Sequence, residues 1–164
     1  MKRIGMVIDK LSDISPDLLY EKGIRFVVLD LDNTLSPYGD FNVELEVKEW
    51  IVKAKKMNMD IVVLSNTWFL RALISRFIVN VPVYYMALKP SPLALWKVLI
   101  RYGYSPDETC VIGDQIFTDV LMARLAGTSF VLVKPLSRRD GPHTKMFRIL
   151  ERSFIAKKIL SSVK

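Results

Sequence analysis

The sequence predicts an α/β protein built on a parallel sheet with helices on both faces. Three observations predict it. Short β-branched apolar runs alternate with amphipathic helical stretches along the 164 residues, the order that crossover-connected parallel strands require. The runs are continuously apolar, as strands covered on both faces are. Polar and acidic residues recur just beyond the run ends, at the edge of the sheet where such folds bind ligands.

The elements follow in chain order. "GIRFVVLD" (23–30) reads as the first main strand. The spacing over 42–57 predicts a helix, with Val43, Val47, Trp50, Ile51 and Ala54 on one face, Asn42 as its cap and Glu44 and Glu46 in the first turn. "DIVVLSN" (60–66) is the second strand, 68–78 a helix and "VYYMA" (83–87) a short third strand. A helix over 92–103 opens with proline and stops at glycine. "TCVIGD" (109–114) is the fourth strand, 119–127 a helix and "SFVLVK" (129–134) the fifth strand. The remainder contains a basic amphipathic helix over 144–160. The expected sheet thus has five strands, and the chain is expected to form one domain.

Composition narrows the function classes. A charged fraction of 25% beside 51% hydrophobic residues fits a globular chain and excludes a disordered one. The single cysteine, Cys110, lies in an apolar run and excludes an internal disulfide. No apolar stretch reaches the roughly 18 residues of a membrane span, and the start does not read as a secretory signal. The expected compartment is the cytoplasm, with a position peripheral to the membrane left open. A net charge of +7 favours anionic partners. No nucleic-acid-binding signature accompanies it, and nucleic acid is not expected. The lone histidine, His143, is read as a loop residue.

The strand ends carry the chemistry. Asp30 ends the first strand and Asp32 follows; Ser65 and Asn66 end the second; Lys89 follows the third; Asp114 ends the fourth, with Asp119 beyond. Carboxylates gathered at one edge repel one another unless a proton or a cation intervenes. A hard cation with oxygen ligands, Mg²⁺, suits such a set better than zinc, for which no histidine or cysteine is placed. Ser65 and Lys89 could then face a phosphate.

"DLDNT" (30–34), "LSN" (64–66), "LKP" (88–90) and "GDQIFTD" (113–119) resemble, in order, the four motifs of the haloacid dehalogenase-like (HAD) superfamily. The wording of the first and last is similar to the YqeG-type branch of subclass IIIA phosphatases, a branch related to mitochondrial phosphatidylglycerophosphate phosphatases. The resemblance implies a Rossmann-like three-layer sandwich without a cap domain, since "SPYGDF" is only a small flap. It implies an Mg²⁺-dependent phosphomonoester hydrolase in which Asp30 is the nucleophile and Asp32 the acid–base. Asp30, the backbone carbonyl of Asp32, and Asp114 would hold the metal, with Asp119 assisting through water. Ser65, Lys89 and the Asn66 backbone would bind the phosphoryl group, and Thr34 would fix the loop. The substrate class it implies is a phosphorylated small molecule or a lipid headgroup, including phosphatidylglycerophosphate. For the basic segment 144–160, packing on the sheet, an anionic membrane surface and a partner protein all stay open, as does an oligomer. Two rival readings are a catalytically quiet HAD-fold binding protein and a phospho-receiver domain, which needs its acidic residues after different strands.

Overall fold

The computed structural model describes residues 3–137. The predicted helix over 144–160 and His143 lie outside the described residues. The core is a fully parallel sheet of six strands: β1 (Gly5–Ile8), β2 (Phe26–Leu29), β3 (Asp60–Leu64), β4 (Val83–Tyr84), β5 (Thr109–Gly113) and β6 (Ser129–Val133). Their order is β1-β6-β5-β2-β3-β4. The sixth strand, β1, corrects the sequence expectation of five. Among the described residues it lies at the edge and pairs only with β6, from Gly5 opposite Phe130 to Ile8 opposite Val133.

The helices are α1 (Pro16–Glu21), α2 (Leu45–Lys56), α3 (Phe69–Val79), α4 (Leu93–Tyr102) and α5 (Leu121–Ala126). Two apolar clusters flank the sheet. One joins Leu19 of α1 and Val47, Trp50, Ile51 and Ala54 of α2 to the inward residues Val27, Leu29, Ile61 and Val63. The other joins Leu95, Val98 and Leu99 of α4 and Met122 and Ala123 of α5 to Phe26, Val28, Val62 and Val111. Successive strand residues thus enter opposite layers, and β2 is buried throughout.

Several boundaries differ from expectation. The start of α2 is Glu44 without a side-chain cap bond, not Asn42; the Asn42 N–H instead donates to Asp40 Oδ1 at 3.1 Å. The third expected strand shortens to Val83–Tyr84, because Met86 turns the chain at φ 49°. The helix expected over 119–127 begins earlier as a π-helical turn, Ile116–Val120, and continues as α5. Between β2 and α2 the chain forms only a short flap, with a bridge between Asp32 and Ser36. Between β3 and β4 it forms only α3. Among the described residues there is no cap domain.

Strand β2 lies between β3 and β5, with Leu29 opposite both Val63 and Ile112. The connections leave β2 toward β3 on one side and return to β5 on the other. The chain order therefore reverses beside β2, and a crevice opens at its carboxyl end.

Candidate active site

Asp30 follows the last residue of β2, and its N–H donates to Ile112 O at 2.9 Å, so the ladder with β5 fixes its place. Asp114 follows β5 directly, on the neighbouring strand. Asp119 sits in the π-helical turn and folds back over the end of β5. Carboxylate oxygens of Asp30, Asp114 and Asp119 all lie within 4.8 Å of one another, and all three residues are buried. The close approach depends on Gly113: a Cβ there would stand 2.3 Å from Asp119 Cγ.

Lys89 reaches into this cluster from the loop after β4. Its Nζ is paired with Asp30 Oδ1 and donates to Asp119 Oδ1 at 2.6 Å. Burial pushes Asp30 up to about 7; Lys89 opposes the shift and Asp119 adds to it. For Lys89 the same burial works against the charged form, but the attraction of Asp119 and Asp30 outweighs it and holds the ammonium above its ordinary value. The pairing with Lys89 gives Asp119 a contact that the sequence reading, which placed it near the metal through water, did not contain. Its other oxygen accepts from Gln115 N at 3.2 Å.

Asn66 also does more than expected. Its Oδ1 accepts from Lys89 N at 2.8 Å and its Nδ2 donates to Lys89 O at 3.2 Å. The side chain therefore clamps the backbone that carries the lysine. Ser65 is buried at the end of β3, with its Oγ accepting from Thr67 N at 3.3 Å. Thr34 Oγ1 donates to Asp30 Oδ2 at 3.5 Å.

Asp32 is half-buried and lies outside the carboxylate cluster. Its Oδ1 accepts from Arg71 Nε at 2.8 Å and contacts Nη2 at 2.6 Å. Arg71 also donates through Nη1 to Asp40 O at 2.8 Å and through Nη2 to Ser36 Oγ at 3.3 Å, and its guanidinium lies over the Phe41 ring. Sequence reasoning missed Arg71. Its place one turn into the helix after "LSN" was the available signal, since a helix starting there faces the loop of the first motif.

Three carboxylates offering oxygen ligands around one point match the donor set of a hard divalent cation. Lys89 within the cluster and the buried Ser65 at the end of the adjacent strand β3 are cationic and hydroxyl groups of the kind that hold an oxyanion.

Comparison with known proteins bears on the family. Residues 87–149 match the HAD-hydrolase-like family model. The chain is 29% identical over 157 residues to the probable phosphatase YqeG of Bacillus subtilis, covering 96% of this chain and 88% of that protein. Both matches are to hydrolases or phosphatases, and they are what this chain is similar to. The chain is also 27% identical to phosphatidylglycerophosphate phosphatase 1, chloroplastic/mitochondrial, of Arabidopsis thaliana, over 96% of its own length and 48% of that protein's. Its fold is similar to the cobalt-bound form of deoxy-D-mannose-octulosonate 8-phosphate phosphatase from Haemophilus influenzae, with a TM-score of 0.58 at 16% identity, covering 87% and 92% of the two chains. An uncharacterized protein from Listeria monocytogenes gives 0.59 at 17% identity, covering 73% and 85%.

Proposed function

We propose that this chain is a HAD-like, single-domain, Mg²⁺-dependent phosphomonoester hydrolase that works through an aspartyl-phosphate. One observation carries the reading: a buried lysine and three buried carboxylates from separate segments meet at the carboxyl end of the central strand. The names of the B. subtilis and A. thaliana relatives, both phosphatases, support the same class.

Asp30 attacks phosphorus through a carboxylate oxygen while the bond to the leaving oxygen breaks. The phosphoryl group passes to the enzyme and one difficult hydrolysis becomes two easier steps. Asp32 donates a proton to the departing alkoxide, then takes one from the water that cleaves the acyl phosphate. Lys89, held by Asn66, offsets charge on the transferring group. Ser65 Oγ and the Asn66 N–H bind its other oxygens. The residues suited to hold Mg²⁺ are Asp30, Asp114 and the Asp32 backbone carbonyl, with Asp119 behind them. When bound, the ion neutralises phosphate charge and favours the ionised form of Asp30. The open, capless mouth suits phosphates on bulky carriers, and a lipid headgroup such as phosphatidylglycerophosphate is the class the relatives' names suggest. We place the enzyme in the cytoplasm, beside the membrane.

The test is hydrolysis of p-nitrophenyl phosphate with Mg²⁺. Wild type is expected to turn over, and Asp30→Asn is expected to lose turnover while staying folded, because the substitution removes a buried charge and leaves Lys89 its bond to Asp119. Normal activity in Asp30→Asn would refute the assignment of the nucleophile, and no activity in wild type would favour a quiet binding protein.

A further inference from the structure

Helix α3 is built inside out. Its buried residues are mostly small, Ala72, Ser75 and Val79. Its outward residues are large and apolar: Phe69, Leu70, Leu73 and Phe77 are exposed, with Trp68 just ahead of them. Trp68 is 82% exposed and Phe77 79%. A helix that only covers a sheet turns its large apolar side chains inward.

The loop that delivers Lys89 continues the same surface. Met86 and Leu88 both have positive φ, 49° and 53°, a costly backbone for bulky side chains. Hydrogen bonds hold it there: Met86 N to Thr67 O at 3.2 Å, Ala87 N to Ser65 O at 3.1 Å, and the Asn66 clamp on Lys89. The result is that Leu88, 73% exposed, points its side chain into solvent beside the buried lysine. Phe69 and Tyr85 meet edge to face at 5.5 Å and join the loop to the helix.

Charge identifies the occupant. From Ile61 to Pro106 the sequence contains no aspartate or glutamate, while Arg76 is exposed on α3 among the apolar residues. The charged residues of that stretch are all cationic: Arg71, Arg76, Lys89, Lys97 and Arg101. A second copy would set one acid-free, cation-bearing stretch against another, whereas an anionic bilayer complements it. Aromatic and aliphatic side chains with interspersed cations are what a surface lying in a lipid interface presents. Among the described residues no helix is long and apolar enough to cross a membrane, so such a contact lies on the bilayer.

We propose that the outward face of α3 and the 85–88 loop form a docking rim for an anionic lipid surface, which sets the carboxylate–lysine site against the bilayer so that a phosphomonoester headgroup enters from the lipid side. The proposal rests on the phosphomonoesterase reading for what enters the site, but docking itself is measured without turnover.

Full-length protein is co-sedimented with phosphatidylcholine vesicles with and without phosphatidylglycerol, and p-nitrophenyl phosphate hydrolysis is followed in parallel. Wild type is expected to bind the anionic vesicles preferentially. The double variant Leu70→Glu/Phe77→Glu is expected to bind at least about tenfold more weakly, since two large apolar contacts are replaced by charges of the lipid's own sign. Its rate on the soluble substrate should not change. Arg76→Glu, which leaves the apolar face intact, should weaken binding only where phosphatidylglycerol is present. Equal vesicle binding by the double variant and wild type would overturn the rim and move docking elsewhere on the chain. So would absence of binding by wild type, or a dimer that the double variant converts to monomer without any effect of lipid. A wild type that binds through the rim but hydrolyses nothing would leave the rim standing and remove the phosphatase reading.

Discussion

Arg71 is a helix residue bound to groups that belong to another part of the chain. Five of its contacts run to the flap that follows β2: Asp32, Ser36, Pro37, Asp40 and Phe41. A planar guanidinium can serve these at once because its donors are fixed in a fork, which a lysine ammonium cannot reproduce. Arg71 therefore acts as a positioning residue for Asp32, the proposed acid–base. We expect Arg71→Ala to lower kcat about 10- to 100-fold with a much smaller change in KM, the scale of loss that follows misplacement of a catalytic group. Arg71→Lys should recover only part of it. The same variant should speed amide exchange in 36–41, because the flap loses its anchor. A fall in melting temperature with kcat unchanged would mean that Arg71 serves the fold alone.

At the scale of elements, the site depends on how β5 ends. The N–H groups of Asp119 and Val120 both donate to Gln115 O, at 3.0 and 3.2 Å. This wide turn lays Asp119 across Gly113, where Lys89 can reach it. Gly113→Ala should push Asp119 away, deprive Lys89 of one acceptor and cost about 1–3 kcal/mol, the usual range for overpacking. The denaturant midpoint should fall accordingly, and p-nitrophenyl phosphate turnover should fall further than stability explains; unchanged values for both would remove the packing argument. The carboxylates at the strand ends were legible in the sequence because β2, β3, β5 and β6 are buried on both faces, and each reads as an unbroken apolar run closed by a polar residue. Strand β1 was not legible, since the five residues between Arg3 and Asp9 look like a charged chain start until β6 supplies their partner. Periodicity marked a helix near 119 but carries no sign of a π-turn before it. The contact between Arg71 and Asp32 spans 39 positions, and only its place early in the helix after "LSN" separates this arginine from an ordinary exposed one.

For the whole molecule, the site is a cost that the two apolar layers must cover. Asp30, Asp114 and Asp119 gather in one buried spot with Lys89 as the cation paired to two of them. The burial that lifts Asp30 is one expression of that cost. A divalent cation bound by the folded chain and not by the unfolded one relieves it and shifts the folding equilibrium by mass action. At a concentration near 100 times its dissociation constant, the gain is about 2.7 kcal/mol. For a chain of this length that corresponds to a rise in Tm of about 5–10 °C. We therefore expect Mg²⁺ to raise the melting temperature of wild type by that order, and a chelator to reverse it. Asp114→Asn should melt no lower than metal-free wild type, because it removes part of the repulsion, and should lose most of the Mg²⁺ response. The control is sodium chloride at matched ionic strength, which screens exposed charges but reaches a buried cluster much less. If sodium chloride reproduces the shift, or if Asp114→Asn responds as wild type does, the carboxylates are not holding the ion and the charge must be balanced within the protein alone.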